Sequence, residues 1–225
     1  PRGPLVGLAA QFLVLPAATF LLTMLLRPGP SIALGMLLIA ACPGGNLSNF
    51  LTNLAGGNTA LSVTMTAIST AVAMAMTPIN VSFWASMNPD TAPLLVTIDI
   101  DHLQLVLTVV LILGMPLGWG MSCAHLFPRL SDRLHTPMKD FSIIFFLSFV
   151  VFVFSQNYEI FTTYIEWVAV AVISHNLLAF ATGYSLSRLM GLDERDRRAV
   201  TIEVGIQNSA LGLVLIFSFF DGLGG

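Results

Sequence analysis

Residues 42–49 read Cys-Pro-Gly-Gly-Asn-Leu-Ser-Asn, and they lie inside an otherwise apolar segment that runs from Ser31 to Leu54. Pro43 has no backbone N–H to donate, and the two glycines that follow it add flexibility. Irregular backbone at membrane depth is tolerated only where it is buried in protein or lines a cavity. The stretch therefore predicts a membrane-spanning helix that breaks in the interior of a helical bundle.

The overall composition also indicates a membrane protein. Of the 225 residues, 56% are hydrophobic and 9% are charged, and the mean hydropathy is +0.85. A soluble domain carries roughly 25% charged residues, so the deficit is larger than a big apolar core would explain. The net charge of -3 and the lack of a basic stripe argue against a nucleic-acid partner. The predicted fold class is an all-α membrane protein.

Apolar stretches of the roughly 20 residues needed to cross a bilayer recur along the chain. Seven are predicted, at about 4–26, 31–54, 58–77, 94–124, 141–157, 166–188 and 195–220. When the spans alternate in direction, all nine Lys and Arg residues except Arg27 fall on one side. The positive-inside rule makes that side cytoplasmic. The prediction is a multi-pass protein of the bacterial inner membrane whose first span starts in the cytoplasm.

The order of the spans predicts an inverted-topology repeat. The first span carries Gln11 and precedes the broken second span, while the sixth carries His175 and precedes a seventh that is interrupted at residues 203–205. Because the two pairs are five spans apart, they cross the membrane in opposite directions. Paired interrupted segments mark a transporter's binding site at mid-bilayer. If each half has five spans, the chain is expected to lack two at its start and one at its end.

Glu203 is the residue of the seventh span that most needs an explanation. A rise of about 1.5 Å per residue from Arg195 places it well below the membrane surface. A carboxylate at that depth is costly and by default functional, although a structural carboxylate, protonated or paired with a buried cation, is the alternative. Gly205 and Gln207 follow it closely. A carboxylate, an amide and freed backbone carbonyls therefore coincide, which is the oxygen-rich environment that a hard cation needs.

Polar residues after the first break extend this pattern. Asn46 is predicted to cap the half-helix that follows, whose N-terminus would direct N–H groups and the positive end of its dipole at an anion. Ser48 and Asn49 add oxygens one turn further on. In the third span, Ser62 and Thr66 are four residues apart and share a face. The alternative for a membrane Ser or Thr is a bond to a carbonyl of its own helix.

Two motifs carry a resemblance to a known family. Residues 42–66, CPGGNLSNFLTNLAGGNTALSVTMT, together with residues 203–208, EVGIQN, resemble the bile acid:sodium symporter family. The resemblance implies a ten-helix fold with two broken helices that cross, of which this chain would supply the third to ninth helices. It also implies a core domain in residues 1–77 (three spans) and 158–225 (two spans), with part of a panel domain in residues 78–157 (two spans).

The same resemblance implies two sodium sites and a position for the substrate. The first sodium site would be formed by Ser48, Asn49, Ser62, Thr66 and Glu203. The second would be formed by Gln11, Glu203, Gln207 and the main-chain carbonyls of Val204 and Ile206. An anionic substrate would lie beside Gly45, Asn46 and Asn208.

The implied function is a sodium-coupled symporter that imports an organic anion, such as a bile acid, pantoate or a related carboxylate, together with two Na⁺. The alternatives are a related carrier with another substrate or coupling ion, for example arsenite efflux using Cys42, and a membrane scaffold without transport. An enzyme is not expected, because the sequence contains neither His-Glu-x-x-His nor Gly-x-Ser-x-Gly. The expected partners are the small anion and the lipid bilayer, and no obligate protein partner is evident.

Overall fold

The computed structural model describes residues 2–98, 102–156 and 158–220, and the regular secondary structure in these ranges is helical. The predicted all-α class is therefore confirmed. In chain order the elements are α1 (Arg2–Ala9), a first π-helical turn (Ala10–Val14), α2 (Leu15–Leu26), α3 (Pro30–Ala41), α4 (Leu47–Leu54), α5 (Thr59–Met87), α6 (Ala92–Ile98), α7 (His102–Val109), a second π-helical turn (Val110–Gly114), α8 (Met115–Leu126), α9 (Pro128–Gln156), α10 (Tyr158–Leu189), α11 (Glu194–Gly205) and α12 (Ser209–Phe219).

Four helical stretches within the described residues are long and apolar enough to cross a bilayer. They are Arg2–Leu26, Thr59–Met87, Val106–Leu126 and Val168–Leu189. The helices α3 and α12 are apolar but too short to span alone. Large apolar side chains point outward on several helices, for example Trp119 on α8, which is 78% exposed. Exposed apolar surface of this extent is unusual on a soluble monomer and matches a bundle surrounded by lipid.

The second and seventh predicted spans are each broken, as expected. The helix α3 ends at Ala41 and α4 begins at Leu47, while α11 ends at Gly205 and α12 begins at Ser209. The two breaks cross and pair as a short antiparallel bridge. The Gly45 N–H donates to the Ile206 carbonyl at 2.8 Å, and the Asn208 N–H donates to the Pro43 carbonyl at 2.8 Å. Each break thus satisfies backbone groups that the other leaves without helical partners.

The first, third, fourth and sixth predicted spans overlap the four long apolar stretches but differ from them in length, and residues 99–101 of the fourth lie outside the described residues. The predicted third span, 58–77, coincides with α5 except for Asn58, which caps the helix, and α5 continues to Met87 with Pro78 inside it. The predicted sixth span, 166–188, lies within α10, which begins at Tyr158. The predicted fifth span falls on α9 and stays a prediction, and its last residue, Asn157, lies outside the described residues. Propensity alone did not indicate that α5 continues past a proline.

Close backbone packing holds the second break in place. The helix α11 packs along α10, and a methyl group added at Gly183 would lie 2.9 Å from the Cα atom of Thr201 and 3.1 Å from the Val200 carbonyl oxygen. Small residues that let membrane helices approach this closely are typical of tight helix pairs. The break after Gly205 therefore follows a helix, α11, that is packed tightly against α10.

Candidate ion and substrate site

Glu203 lies in the last turn of α11 and is fully buried. Its carboxylate accepts hydrogen bonds from Thr66 Oγ1 at 2.7 Å, from Ser62 Oγ at 3.1 Å and from Ser48 Oγ. Ser48 is on α4, after the first break, and the other two donors are on α5. Three helices therefore converge on one buried carboxylate.

Around Glu203 there are more close oxygen–oxygen contacts than hydroxyl protons that could form hydrogen bonds in them. Asn49 Oδ1 lies 2.8 Å from Ser62 Oγ and 3.2 Å from Thr66 Oγ1, and Thr66 Oγ1 also lies 3.0 Å from the Ser62 carbonyl oxygen. Three hydroxyl groups thus make six contacts with acceptor oxygens. Each hydroxyl has one proton to donate, so at most half of these contacts are hydrogen bonds at one time.

We call this set the Glu203 cluster, and its members are Ser48, Asn49, Ser62, Thr66 and Glu203. All five residues predicted for the first sodium site lie together in it. Opposed oxygens without protons between them repel one another, and a cation among them removes that repulsion. The donors are hydroxyl, amide and carboxylate oxygens, which suit a hard cation. Among the described residues there is no group of three His, Cys, Asp or Glu side chains that could hold a metal ion.

Glycines at the first break allow this convergence. A methyl group at Gly44 would overlap the carboxyl group of Glu203. One at Gly45 would lie 3.2 Å from the Gln207 carbonyl oxygen, on the crossing segment. Neither glycine has a positive φ, so close approach and not backbone conformation is what requires glycine here.

Gln11 is the centre of a second set of polar groups. Its side chain is fully buried in the first π turn, and Nε2 donates to the Cys42 carbonyl and to Gln207 Oε1, both at 3.2 Å. Gln207 Nε2 in turn donates to the Val204 carbonyl at 2.6 Å. Within the described part of the chain, Gln11 Oε1 is buried and has no hydrogen-bond partner.

We call this second set the Gln11 cluster, defined by Gln11, Gln207 and the carbonyls of Cys42 and Val204. It brings together three of the residues predicted for the second sodium site. The Ile206 carbonyl accepts from Gly45 across the crossing, and the hydrogen bonds of Glu203 lie in the first cluster. A buried amide oxygen without a hydrogen-bond partner costs free energy unless a ligand or an ion binds to it.

The two asparagines predicted to lie beside the substrate differ in role. Asn208 caps α12, because its Oδ1 accepts from the Leu211 N–H at 3.1 Å. Asn46 occupies the corresponding position before α4 but makes no side-chain cap bond and is exposed. The prediction that its side chain caps α4 is wrong. Its backbone is already helical, and the Ser48 N–H bonds to the Gly45 carbonyl instead.

Two supporting residues on α5 were missed in the sequence. Thr77 Oγ1 donates to the Ala41 carbonyl at 2.7 Å, and Asn80 Nδ2 donates to the Phe12 carbonyl at 3.1 Å. Neither acceptor receives the N–H four residues later, because the Gly45 N–H donates to Ile206 and Pro16 has no N–H. The available signal was Pro16, which removes the N–H four residues after Phe12. His175, an unassigned polar residue in the sequence, makes an interhelical contact of 3.1 Å with Thr19 Oγ1.

Comparison with known proteins shows which family the chain as a whole is similar to. The chain matches the Sodium Bile acid symporter family over residues 1–164. It is 33% identical over 223 residues to the "Uncharacterized sodium-dependent transporter YocS" of Bacillus subtilis (strain 168), covering 99% of this chain and 67% of that protein. It is 31% identical over 226 residues to the "Probable sodium/metabolite cotransporter BASS1, chloroplastic" of Arabidopsis thaliana, covering 98% of this chain and 53% of that protein.

A mammalian relative shows the same extent of similarity. The "P3 protein" of Mus musculus is 29% identical over 216 residues, which is 96% of this chain and 45% of that protein. The chain thus spans about half to two thirds of the length of these relatives. The family match ends before the second break, but the relatives align along nearly the whole chain. Several apolar helices, two crossing breaks and a family match over most of its length together show that this multi-pass membrane protein belongs to the sodium bile acid symporter family.

Proposed function

We propose that the protein is a sodium-coupled symporter that imports a small organic anion. The observation that carries this proposal is the Glu203 cluster, in which three hydroxyls, one amide and one buried carboxylate present more oxygens than their protons can pair. A small monovalent cation would neutralise the charge of the carboxylate and would be coordinated by these oxygens. The family membership and the names of the relatives support Na⁺ as that cation.

A second Na⁺ is assigned to the Gln11 cluster. Gln11 Oε1 is the free acceptor there, and Gln207 and the Val204 carbonyl lie next to it. Glu203 precedes Val204 directly, so its charge would act on both ions, and the Ile206 carbonyl completes the proposed set. Residues in this group are neutral apart from Glu203, which is why the second ion would depend on the first cluster's carboxylate.

The anion is assigned to the crossing, beside Gly45, Asn46 and Asn208. The half-helices α4 and α12 both begin there, directly after the paired segments. Helix N-termini carry free N–H groups and partial positive charge, so two of them near one point favour an anion. The exposed side chain of Asn46 is available to a ligand, whereas the Oδ1 atom of Asn208 is used in its cap.

Arsenite efflux receives less support from the position of Cys42. Its carbonyl oxygen faces Gln11, while its side chain lies in the apolar core near α12. Soft ions need thiolate ligands, and those around the crossing are oxygens instead. We therefore favour an organic anion, of which a carboxylate such as a bile acid or pantoate is the expected class.

Placement in the membrane follows the predicted topology. The ends of α4, α5 and α11 opposite the crossing are joined by polar contacts, including Asn58 Nδ2 to Asp196 Oδ1 at 2.7 Å and Arg198 to the Ala55 carbonyl at 2.9 Å. We assign this polar end to the cytoplasm of a bacterial cell, because most of the basic residues lie on that side. The elements around both clusters belong to residues 1–77 and 158–225, with Thr77 and Asn80 at the border of the proposed panel part, 78–157.

Charge balance makes the proposal quantitative. Two Na⁺ bring +2, Glu203 supplies -1 and a monovalent anion supplies -1, so the loaded site is neutral and crosses a low-dielectric barrier at lower cost. Because Glu203 stays with the protein, each cycle moves a net charge of +1 inward. A membrane potential of about 100 mV, inside negative, would then add roughly 2.3 kcal/mol of driving force.

Uptake by proteoliposomes that contain the full-length protein tests this function. A panel of carboxylates and sulfonates is offered under an inward Na⁺ gradient, with an inward K⁺ gradient as the control. At least one anion should accumulate only with Na⁺, with a sigmoidal dependence on its concentration and a faster rate when the interior is negative. Uptake of an anion without any Na⁺ dependence would overturn the proposal. A hyperbolic Na⁺ dependence with no response to potential would remove the second ion.

A further inference from the structure

The first π turn contains a carbonyl that lacks its ordinary helical donor. Pro16 has no N–H, so the Phe12 carbonyl four residues earlier lacks its ordinary helical donor. The chain widens here, and the Leu15 N–H bonds to Ala10 in the π pattern. Insertions of this kind are frequent at functional sites. Gln11, directly before Phe12, is the residue that this turn directs into the crossing.

Asn80 supplies the missing donor from α5. Its Nδ2 group donates to the Phe12 carbonyl at 3.1 Å, and the side chain is only 6% exposed. Its Oδ1 atom accepts from Trp84 Nε1 at 3.1 Å, which fixes the orientation of the amide. The Trp84 ring packs against Phe20 of α2 with 5.3 Å between ring centroids. Phe20 and Gln11 lie on the same long helical stretch, Arg2–Leu26. Asn80 and Trp84 therefore both contact this stretch, Asn80 at Phe12 and Trp84 at Phe20.

We propose that Asn80 is a positioning residue for Gln11, and that Trp84 holds Asn80 in place. This inference rests on the proposed function, because it makes Asn80 a determinant of Na⁺ affinity at the Gln11 cluster. Asn80 bonds to the Phe12 carbonyl and to Trp84, neither of which belongs to either cluster. It acts by holding the Phe12 carbonyl, and with it the backbone that directs Gln11 at Cys42 and Gln207. Residues that orient ligands in this way commonly set metal-ion affinity.

Equilibrium binding of ²²Na⁺ to the purified full-length protein tests the proposal without a transported anion. Asn80→Leu removes both amide bonds at similar volume and should weaken one of the two Na⁺ by about fivefold, which is the effect of one net hydrogen bond. The same ion should be affected by Gln11→Ala, and adding Asn80→Leu to Gln11→Ala should cause no further loss. Combined with Thr66→Ala, which acts at the other cluster, the two effects should multiply.

Asn176→Leu is the matched control. Asn176 is also an asparagine of a membrane helix, but it is exposed and donates to the Val172 carbonyl of its own helix. This variant should bind Na⁺ as the wild type does. Trp84→Phe keeps an aromatic ring and the bond from Asn80 to Phe12 but removes the indole N–H that donates to Asn80. It should weaken the same ion by about two- to threefold.

The outcomes separate this inference from the function on which it rests. A wild type that binds no Na⁺ overturns the proposed function and this inference with it. A wild type that binds two Na⁺, with an Asn80→Leu variant that binds both as tightly or loses both equally, overturns the positioning role alone. If Asn80→Leu does not fold, Trp84→Phe decides, and wild-type Na⁺ binding in that variant contradicts the proposal.

Discussion

The Glu203 cluster and the Gln11 cluster meet at the same crossing of broken helices, but they are built from different groups. The first surrounds a fully buried carboxylate with three hydroxyls from α4 and α5. The second consists of neutral amides and carbonyls, and its central side chain, that of Gln11, extends from the first π turn. A charged cluster attracts a cation by its charge, whereas a neutral cluster must hold its dipoles in the right orientation. The two should therefore fail in different ways when altered.

The largest effect is expected from Glu203→Gln, which removes the charge and keeps the shape. Leaving a buried charge without its partner costs about 3–5 kcal/mol, so sodium-driven uptake in proteoliposomes should fall by more than 100-fold. Glu166→Gln on α10 is the control, because Glu166 is exposed and should tolerate the change. Normal sodium dependence in correctly inserted Glu203→Gln protein would end the view that one carboxylate serves both ions.

Single-ligand variants should separate the clusters. Thr66→Ala should weaken the ion of the Glu203 cluster, and Gln11→Ala the ion of the Gln11 cluster, each by about 10- to 100-fold, since bonds to charged groups contribute about 1.5–3 kcal/mol. Equilibrium titrations of ²²Na⁺ binding should show two components in each variant, with only one of them shifted. If both substitutions shift the same component, the two clusters form one site.

A smaller effect is expected from Gly44→Ala, because the carboxylate remains but has to move. The added methyl group would overlap the Glu203 carboxyl group, and overpacking of this kind costs about 1–3 kcal/mol. Sodium affinity at the Glu203 cluster should fall by about tenfold. Gly118→Ala on α8 is the matched control, because a methyl group there has nothing within 4 Å. Equal behaviour of the two variants would show that Gly44 does not set the position of Glu203.

The parts of this site that the sequence predicted are those encoded locally. Pro43 and the glycines after it predict a break, and a carboxylate eight residues into an apolar span predicts a buried functional group. The spacing of Ser62 and Thr66 also predicted that both lie on one face, whereas their convergence on Glu203 was implied only by the family resemblance. These features depend on residues that are close in the chain or on the cost of polarity in lipid.

What could not be predicted depends on which helix supplies the partner. The sequence shows that Pro16 deprives the Phe12 carbonyl of its ordinary helical donor, but not that Asn80, 68 positions away, would bond to it. Thr77 meets the Ala41 carbonyl because the Gly45 N–H is used on Ile206 across the crossing. The prediction of a side-chain cap at Asn46 is wrong for the same kind of reason, because the geometry of the crossing places the backbone of Asn46 in the helical region.

The number of Na⁺ ions bound per chain tests the central claim most directly. Equilibrium binding of ²²Na⁺ to the purified full-length protein should saturate at two ions for the wild type. It should saturate at one in Gln11→Ala, over the concentration range that fills the wild type, and at none in Glu203→Gln. Retention of both ions by Glu203→Gln, with wild-type affinity, would contradict the claim that this buried carboxylate couples two sodium ions at the crossing.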